Sequence, residues 1–279
     1  MGSRNIGEFI LKMILSFFVA TSVFSLAICV ELGLGFINTE TVRKSVVGSS
    51  YVMKLSDRMQ QDIDTVIAES GIPASVTGKL IDEEKMYIVL DNGIKNGLEG
   101  KEAEQTEASI KEFEDEFLGG IKTYLNEQSV EITPEVEESA HTLTKKVSDI
   151  FAKYAKHKMA INFYNFRKSC TKILKLITVV NVVMLIVSAG LLLILSKYKH
   201  HAIRKIMYGF SAAFIWNVIA LCYVRLNVKK VQNISFYEYY KDFLQEYQHK
   251  SIQIWYIISI VLICAIFALG VKVKTLKEN

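Results

Sequence analysis

The sequence predicts an all-α membrane protein: four transmembrane helices, with a helical-bundle head between the first and the second. Three observations predict this class. Apolar runs at 9–37, 173–195, 206–224 and 252–271 are each long enough to cross a hydrocarbon core of about 30 Å, which takes roughly 20 helical residues. A bilayer admits only helices or closed barrels, because unpaired backbone groups are too costly there, and these runs lack the alternation of barrel strands. The intervening positions 38–172 are mostly polar and carry helical rather than strand periodicity. The chain therefore divides into an N-terminus with span one (1–38), a head (39–171), span two (172–196), a basic loop (197–205), span three (206–226), an outer tyrosine-rich segment (227–251), and span four with a tail (252–279). A hydrophobic content of 51% is mild for four spans because the head dilutes them. Two prolines and no low-complexity tract exclude a disordered or linker-rich chain.

Span one is longer than the roughly 7–15 apolar residues of a signal-peptide core, so Ser25-Leu26-Ala27 is read as part of a retained helix. Leu26-Ala27-Ile28-Cys29 has the outline of a lipidation site, but Ile28 stands where Gly or Ala is required. Cys170, Cys222 and Cys264 lie in or beside other spans, so packing and not a disulfide must hold the head.

Beyond span one, Val42, Val46, Val52, Leu55, Met59, Ile63 and Val66 form an amphipathic stripe, interrupted at Gly71-Ile72-Pro73. A second helix starts with Asp82 as N-cap and Glu83 and Glu84 at its positive end. It buries Met86, Leu90, Ile94 and Leu98 and stops at Gly100. A third carries Ile110, Phe113, Phe117, Ile121 and Tyr124, weakened locally by Gly119-Gly120. Thr133-Pro134-Glu135 opens a fourth, with a capping hydroxyl and proline at the first helical position. Its seam runs through Val136, Ala140, Leu143, Val147, Ile150, Tyr154, His157 and Ile161 in alternating steps of four and three. Nothing in the sequence stops this helix before span two, which predicts a stalk with a bend near the membrane. Between spans three and four, Phe236, Tyr240, Phe243 and Tyr247 predict a separate amphipathic helix, with Tyr237, Tyr239 and Leu244 beside them. Asn233-Ile234-Ser235 matches a glycosylation sequon.

Orientation follows from the basic residues at the span ends. The loop 197–205 holds Lys197, Lys199, Arg204 and Lys205 with no acid, and Arg4, Lys272, Lys274 and Lys277 fall on the same side. Both termini are thus expected in the cytoplasm of a cell-membrane protein, with the head outside. Arg167, Lys168, Lys172, Lys175, Arg225, Lys229 and Lys230 oppose this, but they are scattered in longer segments that also contain acids.

Few polar residues enter the spans. Glu31, Asn181 and Asn217 all fall roughly 9–12 Å below the outer surface at 1.5 Å per residue, which predicts a shared polar cluster. Interhelical glue is the expected role; an ion or ligand site is the alternative. In the head, 82–138 carries 17 acids against five lysines, and 145–175 carries nine basic residues against one acid. Acidic and basic helices side by side explain this, as does an acidic tip above a basic collar that faces anionic polymer or headgroups. Glu112, Glu114, Asp115 and Glu116 are the candidate acidic interaction patch, without calcium-loop spacing. His141, His157, His200, His201 and His249 form no metal-ligand pattern, and no nucleophile sits in a catalytic motif. No catalytic residue, cofactor or metal is expected, and the short inner segments leave no room for a nucleic-acid-binding domain.

The expected function is therefore non-enzymatic: a multi-pass protein among membrane lipids whose head binds a partner, a ligand, an envelope component or a second copy of the chain. The alternative class is a small channel or transporter component gated by the head. In topology alone the layout resembles ABC-type permease subunits that control wall hydrolases. Claudins share the layout, but their outer Trp and paired-Cys signature is missing here, and tetraspanins place the large loop between the last two spans.

Overall fold

The computed structural model describes residues 3–72, 81–101, 104–232 and 238–278, and within them every regular element is helical. Pro73, the sequon Asn233-Ile234-Ser235, Phe236 and Tyr237 lie outside the described residues. In chain order the helices are α1 (Ser3–Glu31), α2 (Thr39–Gly48), α3 (Tyr51–Glu69), α4 (Glu83–Glu99), α5 (Glu104–Glu127), α6 (Pro134–Ala155), α7 (Lys158–Leu195), α8 (Lys199–Gln232) and α9 (Glu238–Glu278), with a π-helical turn at Leu32–Phe36. Four helical segments, each overlapping one of the expected spans, are long and apolar enough to cross a membrane. Two compact units result: Met1–Ser45 with Arg167–Phe236 and Leu244–Asn279, and Val46–Phe166 with Tyr237–Phe243.

The first unit holds the apolar helices. Its closest crossing is between α1 and α8, and small residues permit it. A Cβ on Gly209 would stand 2.7 Å from Cγ1 of Val19 and 3.1 Å from the Ser16 carbonyl. Ala213 and Ala27 continue the buried seam, and the Ser16 hydroxyl donates to the Lys205 carbonyl at 2.9 Å. Without hydrophobic driving force in lipid, close backbone approach of this kind is what holds helices together. Trp216 closes the seam edge-on against Phe17 and Phe24, at 5.9 and 5.8 Å between ring centroids. Leu192 of α7 and Leu262 of α9 complete this core.

The π turn at the end of α1 contains Gly33 and Gly35, and two of its carbonyls find side-chain donors. The Tyr247 hydroxyl donates to Phe36, and the Thr41 hydroxyl donates to Leu34 at 3.1 Å. Gly35 also lets α9 approach, since its Cβ would meet the Ser251 carbonyl at 3.4 Å.

The second unit is built from α3 to α6 with the start of α7 and the start of α9. Asp82 caps α4, accepting from the amides of Glu84 and Lys85 at 3.0 and 3.2 Å, and Gly100 ends it at φ 68°. Met86, Leu90, Ile94 and Leu98 are all buried. The Thr133 hydroxyl accepts from Val136 at 3.4 Å with Pro134 at the start of α6. Gly93 and Gly97 allow α4 to lie directly against the α6–α7 junction: a Cβ at Gly93 would sit 2.4 Å from the Ala155 carbonyl oxygen, and one at Gly97 2.7 Å from Ala160.

Several expectations are corrected. The helix continuing from span one is divided twice, by the π turn and by Ser50 at φ 53°, and Ile67 rather than Val66 closes its buried stripe. The helix expected through 134–196, with a bend near the membrane, is broken outright at Lys156-His157, where the amide of His157 bonds back to Ala155 and α7 restarts at Lys158. No proline or glycine marks this break; tertiary packing of His157 and Ala155 imposes it. The seam of α6 is Ala140, Leu143, Val147, Phe151 and Ala155, while Ile150 and Tyr154 are half-buried and Ile161 is exposed. Residues 199–205 of the expected basic loop form the first turns of α8, leaving a short connection around Lys197. The tyrosine-rich segment is not a separate helix, because α9 runs unbroken from it into span four.

Candidate functional site

Of the three polar residues expected to meet among the spans, the structure brings two together. Asn217 is completely buried on α8, one turn beyond Ala213. Its side-chain carbonyl accepts from the Trp255 indole, and its amide donates to the Ser259 hydroxyl at 3.3 Å. That hydroxyl in turn donates to the Trp255 carbonyl at 3.0 Å, so the three groups satisfy one another. Glu31, the last residue of α1, is 1% exposed, and the Asn217 side chain is its polar neighbour. Neither of its carboxyl oxygens has a hydrogen-bond partner. Asn181 stands apart: its amide donates to the Ile177 carbonyl of its own helix at 2.8 Å. A mid-helix asparagine satisfied by its own backbone needs no partner helix.

Trp255 and Ser259 were not singled out in the sequence. Their signal is the spacing Ser251, Trp255, Ser259, three polar-tipped residues four apart on one face of an otherwise apolar run. The matching signal on α8 is Gly209, Ala213, Asn217. The buried hydroxyls of Ser22 and Ser251 also have no hydrogen-bond partner.

The acidic patch lies on the exposed face of α5. Glu116 pairs with Lys85 at 2.6 Å, and the Ser148 hydroxyl donates to Glu114 at 3.4 Å. Glu112 borders a small cleft with Phe113, Met86 and Phe151, and Asp115 shares the same exposed face. Neighbouring helices are tied by further opposite pairs, Lys156 with Glu107 at 3.2 Å and Lys122 with Glu137 at 2.7 Å. The hydrogen bond from Lys85 to Glu116 raises the lysine's pKa, and that from Lys122 lowers that of Glu137. Two of these three ion pairs lie within the acidic stretch 82–138, and Lys156 with Glu107 joins it to the basic stretch. Solvent screens exposed pairs of this kind, so this pattern sets register more than stability.

A second polar feature of this unit is a cleft of about 650 Å³ beside the α6–α7 break. Arg58, Lys153, Lys156 and Lys158 line it, with Asp62 as its one acid and Tyr154, His157 and Tyr240 as its rings. Asp62 is already engaged, 3.2 Å from Arg58 and accepting from the Tyr154 hydroxyl at 2.7 Å. The wall behind is aromatic: Tyr51 packs 5.8 Å from Tyr240 and 5.4 Å from Phe243, with Lys54 paired to Asp242. His157 shares a 2.9 Å hydrogen bond through Nε2 with the Tyr51 hydroxyl, while Nδ1 has no partner. Burial pushes this imidazole down to about 4, so it is neutral at physiological pH. The formal charge of the lining is then four cations against one acid. Anionic groups suit such a cleft, and its tyrosine hydroxyls and lysine amines are ordinary partners for phosphate or carboxylate oxygens.

Among the described residues no group of three or more His, Cys, Asp and Glu side chains is placed to hold a metal ion, and all four cysteines are free. No family model, no curated protein and no solved structure matches the chain.

Proposed function

We propose that this chain is a non-enzymatic multi-pass membrane protein, with both termini in the cytoplasm, whose helical unit stands outside and binds an anionic component of the cell envelope. The observation that carries the reading is the cleft of about 650 Å³ with four cationic side chains around it. The basic stretch 145–175 supplies three of these four, so the charge asymmetry of the sequence and the cleft coincide. Lys153 and Lys158 have exposed side chains at the rim, where they attract an anion without first being stripped of water. Orientation is supported by the acid-free run of basic residues around Lys197.

Titration of full-length protein in mild detergent with a fluorescent polyphosphate tests this reading. Binding should weaken as salt rises, and Lys153→Glu with Lys158→Glu should weaken it by about tenfold or more, two charge reversals at the rim. Unchanged affinity in that double variant refutes the cleft as the binding surface.

The second reading, a small channel or transporter component gated by the head, draws on one observation: the unpartnered carboxyl of Glu31. A conduction path would need more polar positions than span four supplies, since 254–271 holds no charged residue.

A further inference from the structure

Glu31 is the one carboxyl among the described residues that is buried with both oxygens lacking a hydrogen-bond partner. An ionised carboxylate in that position is costly unless it is paired or neutralised. Pairing is absent. The Asn217 amide is committed to Ser259, and its carbonyl to Trp255. On α8 the next charged residue, Arg225, lies two turns beyond Asn217 and donates to the Tyr256 hydroxyl at 3.2 Å. On α9, His249 is engaged with Gln253, and Lys250 with Glu246 and the Lys44 carbonyl. On α1 the only cation with a described side chain, Lys12, is more than five turns away and paired with Glu8. Among the described residues no cation is hydrogen-bonded to the Glu31 carboxyl.

We infer that Glu31 is a reversible proton-binding site, carried within the apolar unit as the neutral acid and exchanging its proton with solvent. The neutral form needs no counter-charge, and its hydroxyl has the Asn217 layer as its polar neighbour. Position favours exchange over permanent sequestration: the site is at the last α-helical residue of α1, where the π turn begins. Such turns concentrate at functional positions in helices. The site is independent of the cationic cleft, and either proposal can fail alone.

A lipid-soluble carbodiimide adds across protonated carboxyls in apolar surroundings, leaving an N-acylurea that peptide mass spectrometry locates. Full-length protein in detergent, treated between pH 5 and pH 9, should carry the adduct on Glu31 in clear preference to exposed Glu8 and Glu112. An ordinary exposed carboxyl loses about tenfold of its protonated fraction per pH unit above its pKa, so the Glu31 rate relative to those references should rise with pH and level off only where Glu31 itself gives up its proton. Absence of an adduct on Glu31 throughout the range overturns the inference. So does a Glu31 rate that keeps a constant ratio to that of Glu112.

Discussion

Adjacent positions on α6 offer a sharp test of where the core of the second unit lies. Phe151 is 1% exposed and stacks on Phe113 with ring centroids 4.1 Å apart and planes 5° from parallel, whereas its neighbour Ile150 is half-buried. Phe151→Ala removes a fully buried ring and strands Phe113, a change that costs about 3–5 kcal/mol in comparable cores. Ile150→Ala removes a partly exposed side chain, and about 1 kcal/mol is the expected loss at the usual area coefficient. At RT near 0.6 kcal/mol the first value raises the population of opened molecules by roughly two to four orders of magnitude, the second by less than about tenfold. Hydrogen–deuterium exchange of the full-length protein in detergent, read on peptides from α4 to α6, measures these ratios directly. The periodic seam read from the sequence assigned Ile150 to the core and passed over Phe151. Equal protection losses in the two variants, or a larger one for Ile150→Ala, would refute the packing described for this unit.

Three further outcomes follow from the geometry. Gly93→Ala places a Cβ 2.4 Å from the Ala155 carbonyl, a backbone atom that cannot swing aside, so the second unit should lose about 1–3 kcal/mol by the same exchange assay. Gly209→Ala should separate α1 from α8, lowering the detergent melting temperature, whereas Gly190→Ala, whose Cβ meets nothing within 4 Å, should leave it unchanged. His157 is held neutral with its pKa lowered from 6.5 to about 4, so the unfolded chain binds more protons between those values. Stability of the second unit should therefore be full above pH 6.5 and decline as pH falls towards 4, and His157→Phe should flatten that part of a denaturation-against-pH curve.

Much of the architecture was legible because it rests on local rules. The caps at Asp82 and Thr133, the stop at Gly100 and the stripe Met86, Leu90, Ile94 and Leu98 depend on residue type and spacing within one helix. The four apolar runs were legible for a similar reason, since bilayer thickness sets their length. What escaped was set by neighbours distant in sequence. The break at Lys156-His157 has no helix-breaking residue, and the His157 ring that sits there is bonded to Tyr51. The shift of the α6 seam to Phe151 follows from the stack on Phe113, which no periodicity in α6 reveals. Asn181 has the depth expected of a cluster member, yet its amide turns to Ile177, because depth along a helix says nothing about the direction a side chain faces. The cationic cleft gathers Arg58 from α3 with lysines about a hundred positions later, so only the lysine-rich stretch was visible in advance.

The central claim is a four-span membrane protein with the helical unit outside, and site-directed labelling of single cysteines tests it most directly. In a background with Cys29, Cys170, Cys222 and Cys264 replaced by alanine, Glu112→Cys and Lys197→Cys each place one thiol at an exposed position. A membrane-impermeant maleimide applied to intact cells should label the thiol at 112 and spare the one at 197 until the membrane is permeabilised. Labelling of 197 but not 112 in intact cells would contradict the account and place the cationic cleft in the cytosol.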